Sequence, residues 1–192
     1  MPNSEFSGFA VTPTRFLLSV ALPGVVALAP WLLVIVESWP AALKLYSDYP
    51  VLTNGVLLSS VIITGSGIEG MGSYIEATWD RMLEEKYEVR DNWFSYLAQR
   101  AGDERIGHRY IARLVTALKF ELGMFLSAPI FLIGVTSLNF MSDFGFSAFN
   151  AATLLLTIFA TVLFFKEARD SHRGLCETRR ELVSRCDKRE TV

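Results

Sequence analysis

Four apolar runs divide the chain: residues 16–36 (FLLSVALPGVVALAPWLLVIV), 51–71, 120–138 and 149–165. A hydrocarbon core of about 30 Å takes about 20 helical residues at about 1.5 Å each, so every run is at or near the length of a membrane span. The pattern predicts an all-α integral membrane protein with four transmembrane helices. Residues 72–119, between the second and third spans, keep a helical period but turn amphipathic. Ile75, Trp79, Met82 and Leu83 recur at spacings of three and four, as do Ile106, Tyr110, Ile111, Leu114 and Leu118. That segment is expected to form a cytosolic helical hairpin, or stalk. The chain thus falls into a two-helix membrane hairpin (1–71), the stalk (72–119), a second membrane hairpin (120–165) and a helical cytosolic tail (166–192).

The two arms of the stalk need matching lengths. An outgoing helix running on to Arg100 would be about 43 Å long, against about 25 Å for a return arm from Asp103 to Lys119. A stop near Val89 brings the outgoing arm to about 27 Å. A short helix capped by Asp91 or Asn92 and closed by Gly102 then tops the stalk, and Asp103 caps the return helix. Its segment NWFSYLAQR carries Trp93, Phe94, Tyr96 and Leu97. Aromatic residues there need burial, either by the arms themselves or by another protein. Pro23 and Pro30 in the first span and Pro129 in the third each remove a backbone donor and should bend their helices.

Charge sets the orientation. Of 18 Lys and Arg, eight fall in 72–119, eight in the tail and one, Arg15, before the first span; the 38–50 loop has only Lys44 and the 139–148 loop none. By the positive-inside rule, both termini and the stalk face the cytosol of an inner membrane. The outer loops hold Trp39, Tyr46, Tyr49, Phe140, Phe144 and Phe146, an aromatic belt. No signal peptide is expected, since Met1–Thr14 carries Glu5 and no basic residue. Composition agrees with a membrane protein, at 51% hydrophobic and 20% charged residues, with a mean hydropathy of +0.33. The net charge of −2 leaves no basic excess for nucleic acid. Cys176 and Cys186, ten apart, match neither a metal-ligand nor a redox spacing and are expected as free cytosolic thiols.

Candidate chemistry gathers at the inner membrane face. Glu69 lies in GSGIEGMG at the end of the second span and Glu121 in the first turn of the third. They are expected at similar depth, with Arg15 and Lys166 at the same level. The four charges can neutralise one another, or the carboxylates can line the inner mouth of an oligomeric pore. Gly65, Ser66, Gly67, Gly70 and Gly72 form the densest small-residue patch and suit close helix packing. Asn150, Thr153, Thr157 and Thr161 share one face of the fourth span, and Asn54, Ser60 and Thr64 lie in the second. Such hydroxyls either wet a pore or hydrogen-bond within the helices. On the stalk, Glu76, Asp80 and Glu84 oppose Arg105, Arg109 and Arg113; the stripes pair across the hairpin, lie in solvent, or receive a phosphate or acidic partner. In the tail, Arg173 with Glu177 and Glu181 with Arg185 suggest a solvated helix interrupted near Gly174.

No catalytic residue set, metal site or cofactor is expected. His108 and His172, the only histidines, both lie outside the spans, and Glu69 with Glu121 is the one plausible acid/base pair. The layout resembles membrane subunits of small bacterial two-gene systems, including the Kiwa anti-phage system; the resemblance is one of architecture, carried by no residue motif. It implies a defence or stress role. The first functional expectation is a non-enzymatic, homo-oligomeric inner-membrane subunit, a sensor, anchor or effector that presents its stalk to a soluble cytosolic partner. The candidate contact residues are Trp93, Phe94, Tyr96, Leu97, Arg105, Arg109 and Arg113. The second is an oligomeric ion pore using Glu69, Glu121, Thr153, Thr157 and Thr161, and the third a small membrane-embedded enzyme.

Overall fold

The computed structural model describes residues 13–89, 91, 93, 106–141 and 148–190, with side chains left out of account at 106–109, 148–149 and 185–190. All secondary structure among them is helical: α1 (Pro13–Ser38), α2 (Ala41–Asp48), α3 (Pro50–Tyr87), α4 (Ile106–Met141) and α5 (Ala148–Glu190). Helices α1, α3, α4 and α5 are long and apolar enough to cross a membrane. Their outer faces support that reading, since Leu155, Leu156, Phe159 and Val162 of α5 and Leu58 and Ile63 of α3 are exposed. In water so large an apolar surface would be a liability; against lipid tails it costs nothing.

Prolines shape the first span. Pro23 cannot donate to the carbonyl four residues back, and its ring crowds that carbonyl. The chain responds with a wider π turn over Leu17–Ala21, in which the Leu22 amide reaches back to the Leu17 carbonyl. Pro30 and Pro129 sit inside α1 and α4. α2 is a short helix leading from Pro40 to Tyr49, and Pro50 then opens α3 at a position where its missing N–H is no loss. α3 stops at Glu88, whose left-handed backbone (φ 48°, ψ 48°) lets its amide close on the Glu84 carbonyl at 2.8 Å.

Without a hydrophobic force between spans, close approach depends on small residues. α1 is wedged between α3 and α4. A methyl group on Gly65 would collide with the Val20 carbonyl, and one on Gly24 with the Val61 carbonyl, so α1 and α3 touch backbone to backbone. Gly123 and Gly134 of α4 receive the rings of Pro23 and Pro30. Ser127, fully buried, donates to the carbonyl of Pro23 or Gly123, at 3.0 and 2.7 Å, and Trp31 Nε1 donates to the Ile130 carbonyl at 3.3 Å. α5 packs on α4 through Phe120 against Phe164, Phe125 against Phe165, and an amide pair from Asn139 to Asn150 at 2.7 Å.

Beyond the apolar stretches, α3, α4 and α5 continue together as a polar head. Its core is Ile111, Leu118, Leu122, Ala168 and Leu175, with Ile75, Trp79 and Trp93 packed on it; a second cluster joins Tyr87, Val89 and Cys176. The tail, expected as a solvated helix interrupted near Gly174, instead packs on this core through Ala168 and Leu175. α5 runs through Gly174 without interruption. The reason is a stripe the charge pairs obscure: Ala168, His172, Leu175, Cys176 and Arg179, spaced by three and four, are all buried. Their burial outweighs the roughly 1 kcal/mol that a helical glycine costs.

Candidate functional site

Alongside the core of the head runs a column of polar contacts. Lys119 of α4 bonds the Ser73 hydroxyl and the Glu76 carboxylate of α3, both at 2.7 Å. One turn further along α3, Asp80 Oδ1 meets His172 Nε2 of α5 at 2.7 Å. The imidazole is almost wholly buried, with the edge of Trp79 against it at a centroid separation of 5.5 Å. Cys176 stands one helical turn beyond His172 on the same face, equally buried. Farther out, the Tyr87 hydroxyl donates to Glu177 at 3.0 Å and the Arg179 guanidinium lies 4.3 Å from the centre of the Trp93 ring.

Two carboxylates of the acidic stripe of α3 meet other partners than the arginines: Glu76 takes Lys119 and Asp80 takes His172. Arg113 is exposed and shares a shallow groove with Thr14, Arg15, Thr116 and Phe120. Arg105, Phe94, Tyr96 and Leu97 lie outside the described residues, as do Phe144, Phe146 and the side chain of Arg109. Trp93 is half-buried by its own chain, packed on the head core and beneath Arg179.

Register sets Glu69 and Glu121 less than one helical turn apart along the helix axes. Gly72 faces Leu122 and Ser73 faces Lys119, which sets Glu121 level with the region of Gly72, about 4.5 Å along the axis from Glu69. Glu121 turns to α5, where Ser171 and Glu167 stand beside it, and its Oε2 is buried with no hydrogen-bond partner among the described residues. Of the small-residue patch, Gly65 and Gly72 meet Val20 and Leu122, whereas Gly67 and Gly70 face open space and Ser66 is exposed. Thr157 and Thr161 donate to the carbonyls of Thr153 and Thr157, both at 2.8 Å, and Ser60 donates to Val56. These hydroxyls satisfy their own helices.

Asp80, His172 and Cys176 bring one carboxylate oxygen, one imidazole nitrogen and one thiol sulfur within 4.8 Å of one another. Sequence reasoning missed this set. The signal present was the His172 to Cys176 spacing of four, which puts both on one helical face; Asp80, 92 positions before His172, carried none. By residue type the three could form a nucleophile, base and orienting acid. The electrostatics oppose it, because burial and then the Asp80 carboxylate push the Cys176 thiol up to about 11, with Arg179 only partly opposing them. A thiol so held is a poor nucleophile.

Four apolar spans around a shared core, with one polar head, fit a multi-pass membrane protein. No protein-family model, curated protein or solved structure matches the chain.

Proposed function

We propose that the chain is a non-enzymatic, homo-oligomeric membrane subunit that senses or anchors at the cytoplasmic membrane, with both termini and the head in the cytosol, and presents that head to a soluble protein. The observation that carries the reading is continuity. α3, α4 and α5 each run unbroken from apolar to polar residues and share one buried core on the polar side. A tilt or rotation of the spans therefore reaches the head without a hinge. Two further features support it: Gly67 and Gly70 leave room on α3 for a second copy, and Met82, 72% exposed, offers a docking side chain on the head. The inner-membrane orientation rests on the distribution of Lys and Arg.

The pore reading draws less support, since Thr157 and Thr161 donate to α5 itself and Glu121 turns toward Ser171. Native mass of the protein in lipid nanodiscs, together with co-purification from cells, tests the proposal. Several chains per particle and a soluble protein lost on Met82→Glu, with insertion intact, are expected. A single chain per particle and no Met82-dependent partner would overturn it.

A further inference from the structure

We propose that Asp80, His172 and Cys176 form a transition-metal site of the zinc class that ties α5 to α3 at the base of the head. The donor set is the first ground. An imidazole, a thiol and a carboxylate together match the borderline character of Zn²⁺ and Co²⁺ and suit neither Mg²⁺ nor Ca²⁺, which take oxygen ligands. Neutral imidazole, thiolate and carboxylate carry two negative charges, the number a divalent cation cancels.

Geometry is the second ground. Ligands at about 2.0–2.3 Å from a tetrahedral metal lie about 3.3–3.8 Å apart. The three donor atoms already fall within 4.8 Å of one another, so small rotations of side chains on two fixed helices reach that spacing. The Asp80 carboxylate, now 2.7 Å from His172 Nε2, would swing outward so that the metal comes between them. Since His172 and Cys176 are one helical turn apart on α5, a bound metal adds a coordinate link from that face to Asp80 of α3 beside the packing of the head core.

The surroundings are the third ground. Cys176 is 3% exposed, and the charged groups acting on it are the carboxylates of Asp80, Glu76 and Glu177 and the guanidinium of Arg179, with Lys119 held on Glu76. That excess of negative charge around a buried sulfur favours a cation there. Trp79 covers one side of the imidazole. The Asp80 side chain, 36% exposed, marks the open side, where water completes the coordination.

The test uses the full chain in lipid nanodiscs, stripped with a chelator and then given Zn²⁺ or Co²⁺ alone. One zinc per chain is expected by elemental analysis. Co²⁺ should give a near-ultraviolet thiolate charge-transfer band with the visible bands of a four-coordinate ion. Cys176→Ser should abolish the charge-transfer band and weaken zinc binding at least about tenfold, while Cys186→Ser leaves both unchanged. Zinc should raise the thermal midpoint of the wild type and not of Cys176→Ser. Because His172→Ala removes a buried ring and could unfold the head, the one-atom Cys176→Ser change is the deciding variant, its fold checked by its midpoint in chelator. A chain that binds no zinc and shows no cobalt–thiolate band, or binds both equally in Cys176→Ser, would overturn the proposal and leave a plain Asp80–His172 hydrogen bond.

Discussion

Two glycines two residues apart on α3 should respond to the same substitution with opposite sign. At Gly65 an added methyl group meets the Val20 carbonyl, a backbone atom that no rotamer change can move aside. Replacing helical glycine by alanine gains about 0.5–1 kcal/mol of backbone entropy, while overpacking a tight contact costs about 1–3 kcal/mol. The net expectation for Gly65→Ala is a loss of about 1–2 kcal/mol, since α1 and α3 must separate and loosen the contacts around Val20, Gly24 and Ile68. At Gly67 the same methyl group meets open space, so Gly67→Ala should gain about 0.5 kcal/mol or remain neutral. The assay is reversible unfolding in mixed micelles, titrated with a denaturing detergent, at a dilution where each particle holds one chain. Variants that shift together, or a neutral Gly65→Ala, would refute the backbone contact between α1 and α3.

In the head, Leu175→Ala removes a side chain that is 1% exposed and should cost about 2–5 kcal/mol. Leu155→Ala on the exposed face of α5 should cost far less in the same unfolding assay. Lys119→Met strands the Glu76 carboxylate, while the Ser73 hydroxyl keeps its bond to the Glu69 carbonyl, and should cost about 1.5–3 kcal/mol, a loss that Glu76→Gln in the same chain partly recovers. Glu88→Gly relieves the left-handed backbone that ends α3 and should stabilise the head by about 1 kcal/mol, read as a higher thermal midpoint. With metal chelated and Cys186 replaced by Ser, Cys176 should resist maleimide at neutral pH. Its ionisation moves from 9.0 in the unfolded chain to about 11 in the folded one, so the stability it contributes is present below pH 9 and is lost as pH rises toward 11. Rapid labelling of the folded protein at pH 7 would contradict the burial of that thiol.

Much of this fold is local and hence legible along the chain. Length and hydropathy alone mark the four long helices, because a span is a matter of about 20 residues at a fixed rise. The stop of α3 beside Val89 follows from arm lengths in the same way, and Glu88 supplies the turn. What periodicity cannot give is the partner of each face. Gly65 and Gly67 belong to one small-residue patch in the sequence, and only the approach of α1 tells a backbone contact from open space. The sequence of the tail spaces Arg173 and Glu177 as a solvated charge pair, yet Glu177 accepts from Tyr87 and the neighbouring face of that helix is buried in the head. The meeting of Asp80 with His172 and Cys176 depends on how α3 and α5 cross. Crossing angle and register are set by the packing of every residue between the two helices, so residues 92 positions apart carry no mark of their contact until the tertiary structure forms.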